Sequence, residues 1–397
     1  MDRRRFLQIT SLAGLSSALP FSSQSSFKPN ILFIIVDQMR RPVWFRGNRL
    51  PNYNELRSES VEFTNHFVCS VPCSPSRACL MTGTYPNQHG IWKNAYNNDV
   101  CLDPGIPTIG SFFQGIGYQT VYFGKWNLGD EAGRSDFEFK TEDFIRGPHH
   151  GEDKIIVDSF HSWVEENADL GPWLAVVSLL NPHRICGHSM DWANPPVRDI
   201  RRLPDNWLDF GKKPSLKIKW PATSRFETRD PALALGYLNW YYYFNQMMDA
   251  HLGTIITILK QLKIYNDTLV VFTSDHGEMG CSHGLTGKPP VPYTEALKVP
   301  LLIKLPGGKG YAVSSISENI DVFPTLTAMF GSIPDYLQGK NLLGGLLPNN
   351  YAYFEAMLES GKICYGQRDA RWSSFEYPNG KELYNLFKDP LMLNNLA

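Results

Sequence analysis

Ile31-Leu32-Phe33-Ile34-Ile35-Val36-Asp37-Gln38 is an unbroken apolar run that ends on a carboxylate and an amide. A strand with one wet face would alternate apolar and polar residues, so an unbroken run suits a strand covered on both faces, as in a parallel sheet. Four further runs are nearly continuous in the same way: Thr120–Phe123, Trp173–Leu180, Thr268–Phe272 and Val299–Leu305. Helical patterns lie between them. Asp153–Asn167 places Ile156, Phe160, Trp163 and Val164 on one stripe, and Pro231–Leu262 carries Leu252, Ile255, Ile256 and Leu259 near helical spacing. Asn319–Phe330 reads as a helix kinked by Pro324. Strands alternating with helices predict an open α/β sheet. The last fifty or so residues hold strand-like pieces with turn signals, including Tyr377-Pro378-Asn379-Gly380, and predict a small antiparallel sheet. Between Asn181 and Arg229 the chain is rich in Pro, Arg, Asp and Trp with little periodicity, as expected of a functional insertion over one sheet edge.

Each of the first four runs ends in polar groups: Asp37-Gln38, Gly124-Lys125-Trp126-Asn127, Asn181-Pro182-His183, and Thr273-Ser274-Asp275-His276-Gly277. Ligands of open α/β sheets bind beyond the carboxyl ends of the strands. One such residue alone is more often a cap or turn residue. Four strands delivering Asp37, Lys125, His183 and Asp275 to one rim is a pattern that chance explains poorly.

The chain has 397 residues, 43% hydrophobic and 19% charged, enough for a large core. Lys plus Arg number 38 against 39 Asp plus Glu, for a net charge of −1, which argues against a nucleic-acid binder. An anionic substrate must therefore meet a local cluster of positive groups. Seven cysteines are too sparse for a disulfide scaffold, and their odd number leaves at least one unpaired or modified. Arg3-Arg4-Arg5-Phe6-Leu7 precedes a mildly apolar stretch, Ile9–Pro20, too short to span a bilayer. It reads as a removable signal of the twin-arginine type, the alternative being a basic disordered tail. The mature protein is then exported without a membrane span, to the periplasm or beyond.

In Cys73-Ser74-Pro75-Ser76-Arg77-Ala78-Cys79-Leu80-Met81-Thr82-Gly83, Pro75 suits a first helical position and Gly83 a stop. Cys73 then sits at or just before a helix N-terminus, where free N–H groups favour negative charge. Arg77 is four residues on, within reach of whatever Cys73 holds. The residues alone also allow a thiol nucleophile at Cys73, its pKa lowered by the helix, although no nearby motif supplies a paired base.

The pattern Cys73-x-Pro75-x-Arg77, continued by Leu80, Thr82-Gly83 and His89-Gly90, resembles the sulfatase family whose cysteine is converted to formylglycine. Asp37-Gln38, Gly124-Lys125-Trp126, Pro182-His183, Ser274-Asp275-His276-Gly277-Glu278 and Gly287-Lys288 follow in the order of that family, as does Glu382-Leu383-Tyr384-Asn385-Leu386 near the end. The resemblance covers roughly residues 28–397. It implies an alkaline-phosphatase-like α/β fold: a mixed, mostly parallel sheet sandwiched by helices, with a small C-terminal antiparallel sheet. The implied division is a signal over 1–26, a catalytic domain over 27–345 and an α+β subdomain over 346–397. The implied chemistry is sulfate ester hydrolysis, in which the hydrated aldehyde made from Cys73 attacks sulfur and then expels sulfate. The implied metal ligands are Asp37, Gln38, Asp275, His276 and the modified Cys73, mostly oxygen donors that favour Ca²⁺ over Mg²⁺. For His276 the alternative is a contact to the nucleophile or sulfate. Arg77, Lys125 and Lys288 would neutralise sulfate and nucleophile. His183 would protonate the leaving alcohol, a bland alternative being a loop histidine satisfied by backbone.

One departure stands out. The family usually has Lys-Trp-His, its histidine deprotonating the nucleophile, where this chain has Lys125-Trp126-Asn127. Asn127 cannot accept that proton, so His276, His283 or His89 are the residues that could replace it. Substrate-facing loops are expected at Arg40–Arg49, with Trp44 and Arg46, and from Arg184 to Arg202, with His188 and Trp192. Aromatic rings stack on sugars and arginines pair with sulfates or uronates, although each such residue alone is more often ordinary surface. The reading is a carbohydrate sulfatase whose partners are a sulfated oligo- or polysaccharide, a formylglycine-generating maturation enzyme and the twin-arginine export machinery. Other readings are an arylsulfatase or choline-sulfatase-like enzyme, a formylglycine phosphodiesterase or phosphonate monoester hydrolase, and a non-catalytic sulfoglycan-binding protein.

Overall fold

The computed structural model describes residues 28–44 (of Trp44 the backbone only), 49–95, 100–129, 134–141, 152–186, 190–209, 213–217, 230–345 and 350–397. The segment read as an export signal, Arg46 and His188 lie outside the described residues. Among those residues no helix is long and apolar enough to cross a membrane.

The elements that position the site are β1 (Ile31–Asp37), α1 (Pro51–Ser58), β2 (Val61–Phe67), α2 (Cys73–Thr82), α3 (Ile109–Gly115), β3 (Gln119–Gly124), β4 (Glu138–Phe139), α4 (Glu152–Asn167), β5 (Trp173–Pro182), α5 (Pro231–Gln261), β6 (Leu269–Ser274), β7 (Leu301–Lys304), β8 (Tyr311–Glu318) and α6 (Val322–Thr327). They build an eight-stranded sheet in the order β4-β3-β5-β1-β6-β7-β2-β8. β4, β3, β5, β1 and β6 run parallel, β7 is antiparallel to both its neighbours, and β2 pairs parallel with β8. The unbroken apolar run of β1 has the cause read from sequence. Ile31, Phe33 and Ile35 face a cluster with Leu80 of α2 and Phe113 of α3, while Leu32, Ile34 and Val36 face one with Phe160 of α4 and Leu252 of α5. Full burial of each such side chain is worth about 1.5–3 kcal/mol.

A second, four-stranded antiparallel sheet follows, in the order β12-β11-β10-β9, from β9 (Ala352–Met357), β10 (Ile363–Arg368), β11 (Trp372–Tyr377) and β12 (Gly380–Asn385). The mostly parallel sheet with covering helices and the small C-terminal sheet match the expected fold class. The helix expected over 319–330 is shorter: a 3-10 turn at Asn319–Asp321 leads into α6, which ends at Thr327. β2 and β8 were not read from the sequence because each has exposed or half-buried positions and no continuous apolar run.

At the end of β8, Glu318 is buried and accepts from the Tyr353 N–H at 2.7 Å and from the Tyr85 hydroxyl at 3.1 Å. Burial, then the neighbouring Asp321 charge, pushes its carboxyl up to about 7, and burial pushes Asp321 up to about 6. These carboxyls hold protons more tightly folded than unfolded, so their ionisation costs stability as pH rises from the ordinary carboxyl range through 7. Glu318→Gln keeps an oxygen for Tyr353. It is expected to raise Tm by about 4 °C at pH 8 and hardly at all at pH 5. Thermal unfolding of both proteins at both pH values checks this, and an equal gain at the two would refute it.

Candidate active site

The parallel strands β3, β5, β1 and β6 end on one edge of the sheet, and their extensions bring the site residues together. β1 loses its regular register against β5 between Val36 and Asp37, where Asp37 pairs with Pro182 instead of the next residue in line. Such irregularities turn a side chain out of the ladder. Gly124 closes β3 at φ 92°, and a Cβ there would lie 2.2 Å from the Ser178 carbonyl oxygen. Only glycine allows that approach, which carries the chain into Lys125.

Helix α2 begins at Cys73, two residues before the first helical position expected at Pro75, and ends on Gly83 at φ 65°. The proline is tolerated because the first four N–H groups of a helix lack intrahelical partners. Asn94 takes up the Ser74 N–H at 3.0 Å. Every residue of α2 is buried, so Arg77 must find its partners inside. Its Nε donates to Asp275 Oδ2 at 2.9 Å, and its Nη1 donates to the Lys125 carbonyl at 2.7 Å and to Ser178 Oγ at 2.9 Å. Nη2 stands 3.6 Å from Asp37 Oδ2 and has no hydrogen-bond acceptor among the described residues.

Around Cys73 the structure gathers Asp37, Asp275 and His276, whose ligating atoms and Sγ all lie within 4.8 Å of one another, fully buried. His276 Nε2 is 3.2 Å from Cys73 Sγ, 3.5 Å from Asp37 Oδ1 and 3.6 Å from Asp275 Oδ1. Its Nδ1 faces the Gly277 carbonyl at 3.0 Å, so in the neutral imidazole Nε2 carries the lone pair. Lys125 donates to Asp37 Oδ2, and Lys288 Nζ lies 4.0 Å from Asp37 Oδ1. Burial by itself would raise the Asp37 carboxyl, but the charges of His183, Lys125, Lys288 and Arg77 hold it well below the ordinary range. Burial and Asp37 push the Cys73 thiol up, and Lys125, Lys288 and His276 outweigh them, leaving it well below a free thiol. The site is thus built to hold negative charge at position 73 in a low-dielectric interior.

Gln38 adopts φ 72° after β1. Its amide oxygen accepts from Lys288 Nζ at 2.7 Å, and its amide nitrogen donates to Glu278. Glu278 also accepts from Tyr237 Oη at 2.8 Å and from the N–H groups of Gly280 at 3.0 Å and Gly287 at 2.6 Å. Glu278 and Ser178 were given no role from the sequence. Glu278 stood in the quoted run with nothing to mark its direction, and Ser178 lies inside a strand whose apolar neighbours gave no sign of a polar partner.

His183 opens the 3-10 turn His183–Cys186 beyond β5. Burial first, then Lys288 and Lys125, push its imidazole down, while Asp37 and Cys73 act upward. Those four partners place it in the cluster. Two of the three histidines offered in place of Asn127 are engaged elsewhere. His89 faces Cys79 Sγ at 3.5 Å, accepts from the Ile91 N–H at 3.1 Å, and is pushed down to about 3 by burial. His283 meets Asp209 at 2.5 Å and Asn206 at 3.0 Å through its two nitrogens, and stacks on Tyr293 with centroids 3.6 Å apart. Only His276 of the three contacts Cys73. Asn127 is buried at φ 60°, a conformation that asparagine and histidine tolerate better than most residues. Trp192 is half-buried against Tyr237, ring centroids 5.2 Å apart, and Arg184 is half-buried with Asp153 as its facing charge.

The donor set tests whether a divalent cation fits. Asp37 Oδ1, Asp275 Oδ1, His276 Nε2 and Cys73 Sγ converge, and the Gln38 amide oxygen borders them. Two buried carboxylates, an amide oxygen and one imidazole suit a cation bound mainly through oxygen.

Residues 29–332 match the family model described as Sulfatase. A Delta 4,5-hexuronate-2-O-sulfatase of Bacteroides thetaiotaomicron is 26% identical over 95% of this chain and 86% of its own length. An ulvan-active sulfatase of Formosa agariphila is 29% identical over 79% of this chain, and the match spans 64% of that relative's length. A solved structure described as a 2-O GAG sulfatase superposes with a TM-score of 0.80 at 26% identity, covering 94% of this chain and 88% of that one.

Proposed function

The chain belongs to the sulfatase family, and from that premise we propose that it hydrolyses a sulfate ester on a carbohydrate. The observation that carries the proposal is the meeting of Asp37, Cys73, Asp275 and His276 within 4.8 Å at the start of a buried helix. The Cys73 thiol stands where the family's oxidised residue would carry its oxygens. Relatives named for activity on ulvan and on a hexuronate 2-O-sulfate support a carbohydrate as the substrate class.

Asp37, Gln38, Asp275 and His276 would hold the cation, Ca²⁺ in preference to Mg²⁺, which demands a stricter octahedron and keeps more of its water. When bound, it lowers the pKa of the attacking hydroxyl and neutralises sulfate oxygens. Arg77 is fixed by its bonds to Asp275, Lys125 and Ser178, and its Nη2, without an acceptor, is the donor left for a sulfate oxygen. Lys125 and Lys288, held at the rim by Asp37 and Gln38, add preorganised positive charge. His183 is the proton donor to the leaving alcohol. The facing lysines that push its imidazole down are opposed once an anion sits among them. Residues 27–345 would form the catalytic unit and 346–397 the appended one, with Arg3-Arg4 directing export after folding.

The decisive test pairs mass spectrometry of the tryptic peptide Ser58–Arg77 with sulfate release from a panel of sulfated oligosaccharides. An aldehyde at Cys73 together with sulfate release is expected. A free thiol in protein produced with a formylglycine-generating enzyme would overturn the proposal.

With His276 assigned to the cation, Asn127 leaves the position of the family's usual histidine without a base, and a histidine there would supply one. Asn127→His is expected to leave kcat unchanged or to raise it by up to about tenfold, within the range of one general base. Steady-state kinetics check this, and a tenfold loss would refute it.

A further inference from the structure

Next to the catalytic rim lies a cavity of about 710 Å³, within the range of small-ligand sites. Its charged lining is Arg40, Arg49, Arg201 and Arg202 against Asp199 and Asp205, an excess of guanidinium on a protein of net charge −1. Its wall is hydrogen-bonded to the site in two places. Gly280, in its wall, donates its N–H to Glu278, and Glu278 holds the Gln38 amide. Arg40 is tied to the same place, since the Tyr241 hydroxyl bridges its N–H, at 3.1 Å, to the Gln38 carbonyl, at 2.8 Å.

The four arginines are not equally committed. Arg202 donates to Asp205 at 2.5 Å, and Arg40 faces Glu295, whose carboxyl it pulls down. Arg49 differs. It lies over the Tyr242 ring, 5.5 Å from its centroid, while its Nη1 is buried without a hydrogen-bond partner among the described residues, and Asp199 stops 3.7 Å short. Arg201 forms no ion pair among the described residues and is exposed on the cavity wall. The segment that carries it is held to α5. Ile200 donates its N–H to Asn239 Oδ1 at 2.8 Å and accepts from Asn239 Nδ2 at 2.9 Å. The Trp240 indole donates to the Asp191 carbonyl at 2.8 Å, and a Cβ at Gly236 would lie 1.7 Å from the Trp192 carbonyl oxygen. The strap is therefore fixed on the helix, and ordering costs little when a ligand arrives.

We propose that this cavity receives a second anionic group of the substrate, held by Arg49 and Arg201, so that the enzyme selects saccharides bearing a carboxylate or a further sulfate beside the ester it cleaves. Guanidinium groups pair with either anion in two-point geometry, so carboxylate and sulfate share the chemistry. The inference rests on the sulfatase reading of the adjoining site.

The test compares wild type with Arg49→Gln, Arg201→Gln and the conservative Arg201→Lys on three compounds: an aryl sulfate with a neutral leaving group, a sulfated uronate-containing disaccharide, and a disulfated hexosamine disaccharide. The glutamine variants are expected to raise KM at least tenfold for one or both disaccharides, with kcat within twofold. Turnover of the aryl sulfate should not change, and Arg201→Lys should recover part of the loss. The disaccharide that loses most identifies the anion as carboxylate or sulfate. Equal effects on all three compounds, or none on any, would overturn the inference while leaving the sulfatase reading standing. Direct binding of both disaccharides to Cys73→Ala protein, with and without Arg201→Gln, separates the two readings. Arginine-dependent binding in a protein whose Cys73-containing form releases no sulfate supports the cavity and refutes the activity. Arginine-independent binding refutes the cavity.

Discussion

Cys73→Ala is expected to abolish sulfate release, by a factor on the order of 10⁴ or more, while the protein keeps its fold. Cys73 is the atom on which the buried charges converge, with His276 Nε2 at 3.2 Å, Asp37 Oδ1 at 3.9 Å, and Lys125 and Lys288 acting on its charge. Its side chain supplies little packing beyond one sulfur, and the backbone of α2 is held independently by the Asn94 bond to Ser74 and by the Ser76 hydroxyl on the Asp275 carbonyl. Loss of the sulfur should therefore lower Tm by only a few degrees, on the scale of about 1–2 kcal/mol for a small truncation. Sulfate release by ion chromatography and a thermal melt separate the two quantities. Activity within tenfold of wild type would show that the nucleophile lies elsewhere.

Asp37→Asn should cost both activity and stability. The carboxylate receives Lys125, stands 3.6 Å from Arg77 Nη2 and 4.0 Å from Lys288 Nζ, and is fully buried. Its amide counterpart leaves those cations in the interior with one carboxylate fewer to compensate them. Removing one member of a buried ion group costs about 3–5 kcal/mol, because the charge left behind is uncompensated. Since the other charges hold Asp37 well below the ordinary carboxyl range, it stays ionised to low pH. Its contribution is thus present throughout the neutral range, and is lost only as pH falls through the lowered value. A fall in Tm together with at least about a 10³-fold drop in kcat is expected, the latter from losing a ligand and an electrostatic anchor at once. Chelator treatment of the wild type should mimic the activity loss, and added Ca²⁺ should restore it in the wild type but not in Asp37→Asn. A variant with wild-type Tm would show that the cations find other partners.

Much of this site was legible because its chemistry sits at strand ends. Burial on both faces of the central strands forces nearly continuous apolar runs, so Asp37, Lys125, His183 and Asp275 were visible as the first titratable groups after them. The parallel direction of those strands then brings the residues to one edge. Beyond β6, β7 was legible as the run Val299–Leu305, but β2 and β8 were not. β2 and β8 are partly exposed, and a strand with mixed burial carries no continuous signal.

By itself, then, the sequence determined the strand runs, the long helix α5, the cysteine at a helix start and the set of charged residues that gather around it. These depend on periodicity within a few residues, or on a motif whose chemistry requires its spacing. The tertiary structure decided which histidine meets Cys73. His89, His276 and His283 are alike in one dimension, but His89 turns to Cys79 and His283 to Asp209, and only His276 turns inward. It also decided that Glu278 steers Gln38, and that Arg49 and Arg201 share a cavity although about 150 positions separate them. The physical reason is that local burial is written into adjacent residues, whereas a meeting of side chains depends on strand order and on loops strapped across helices, which no short stretch of the chain encodes.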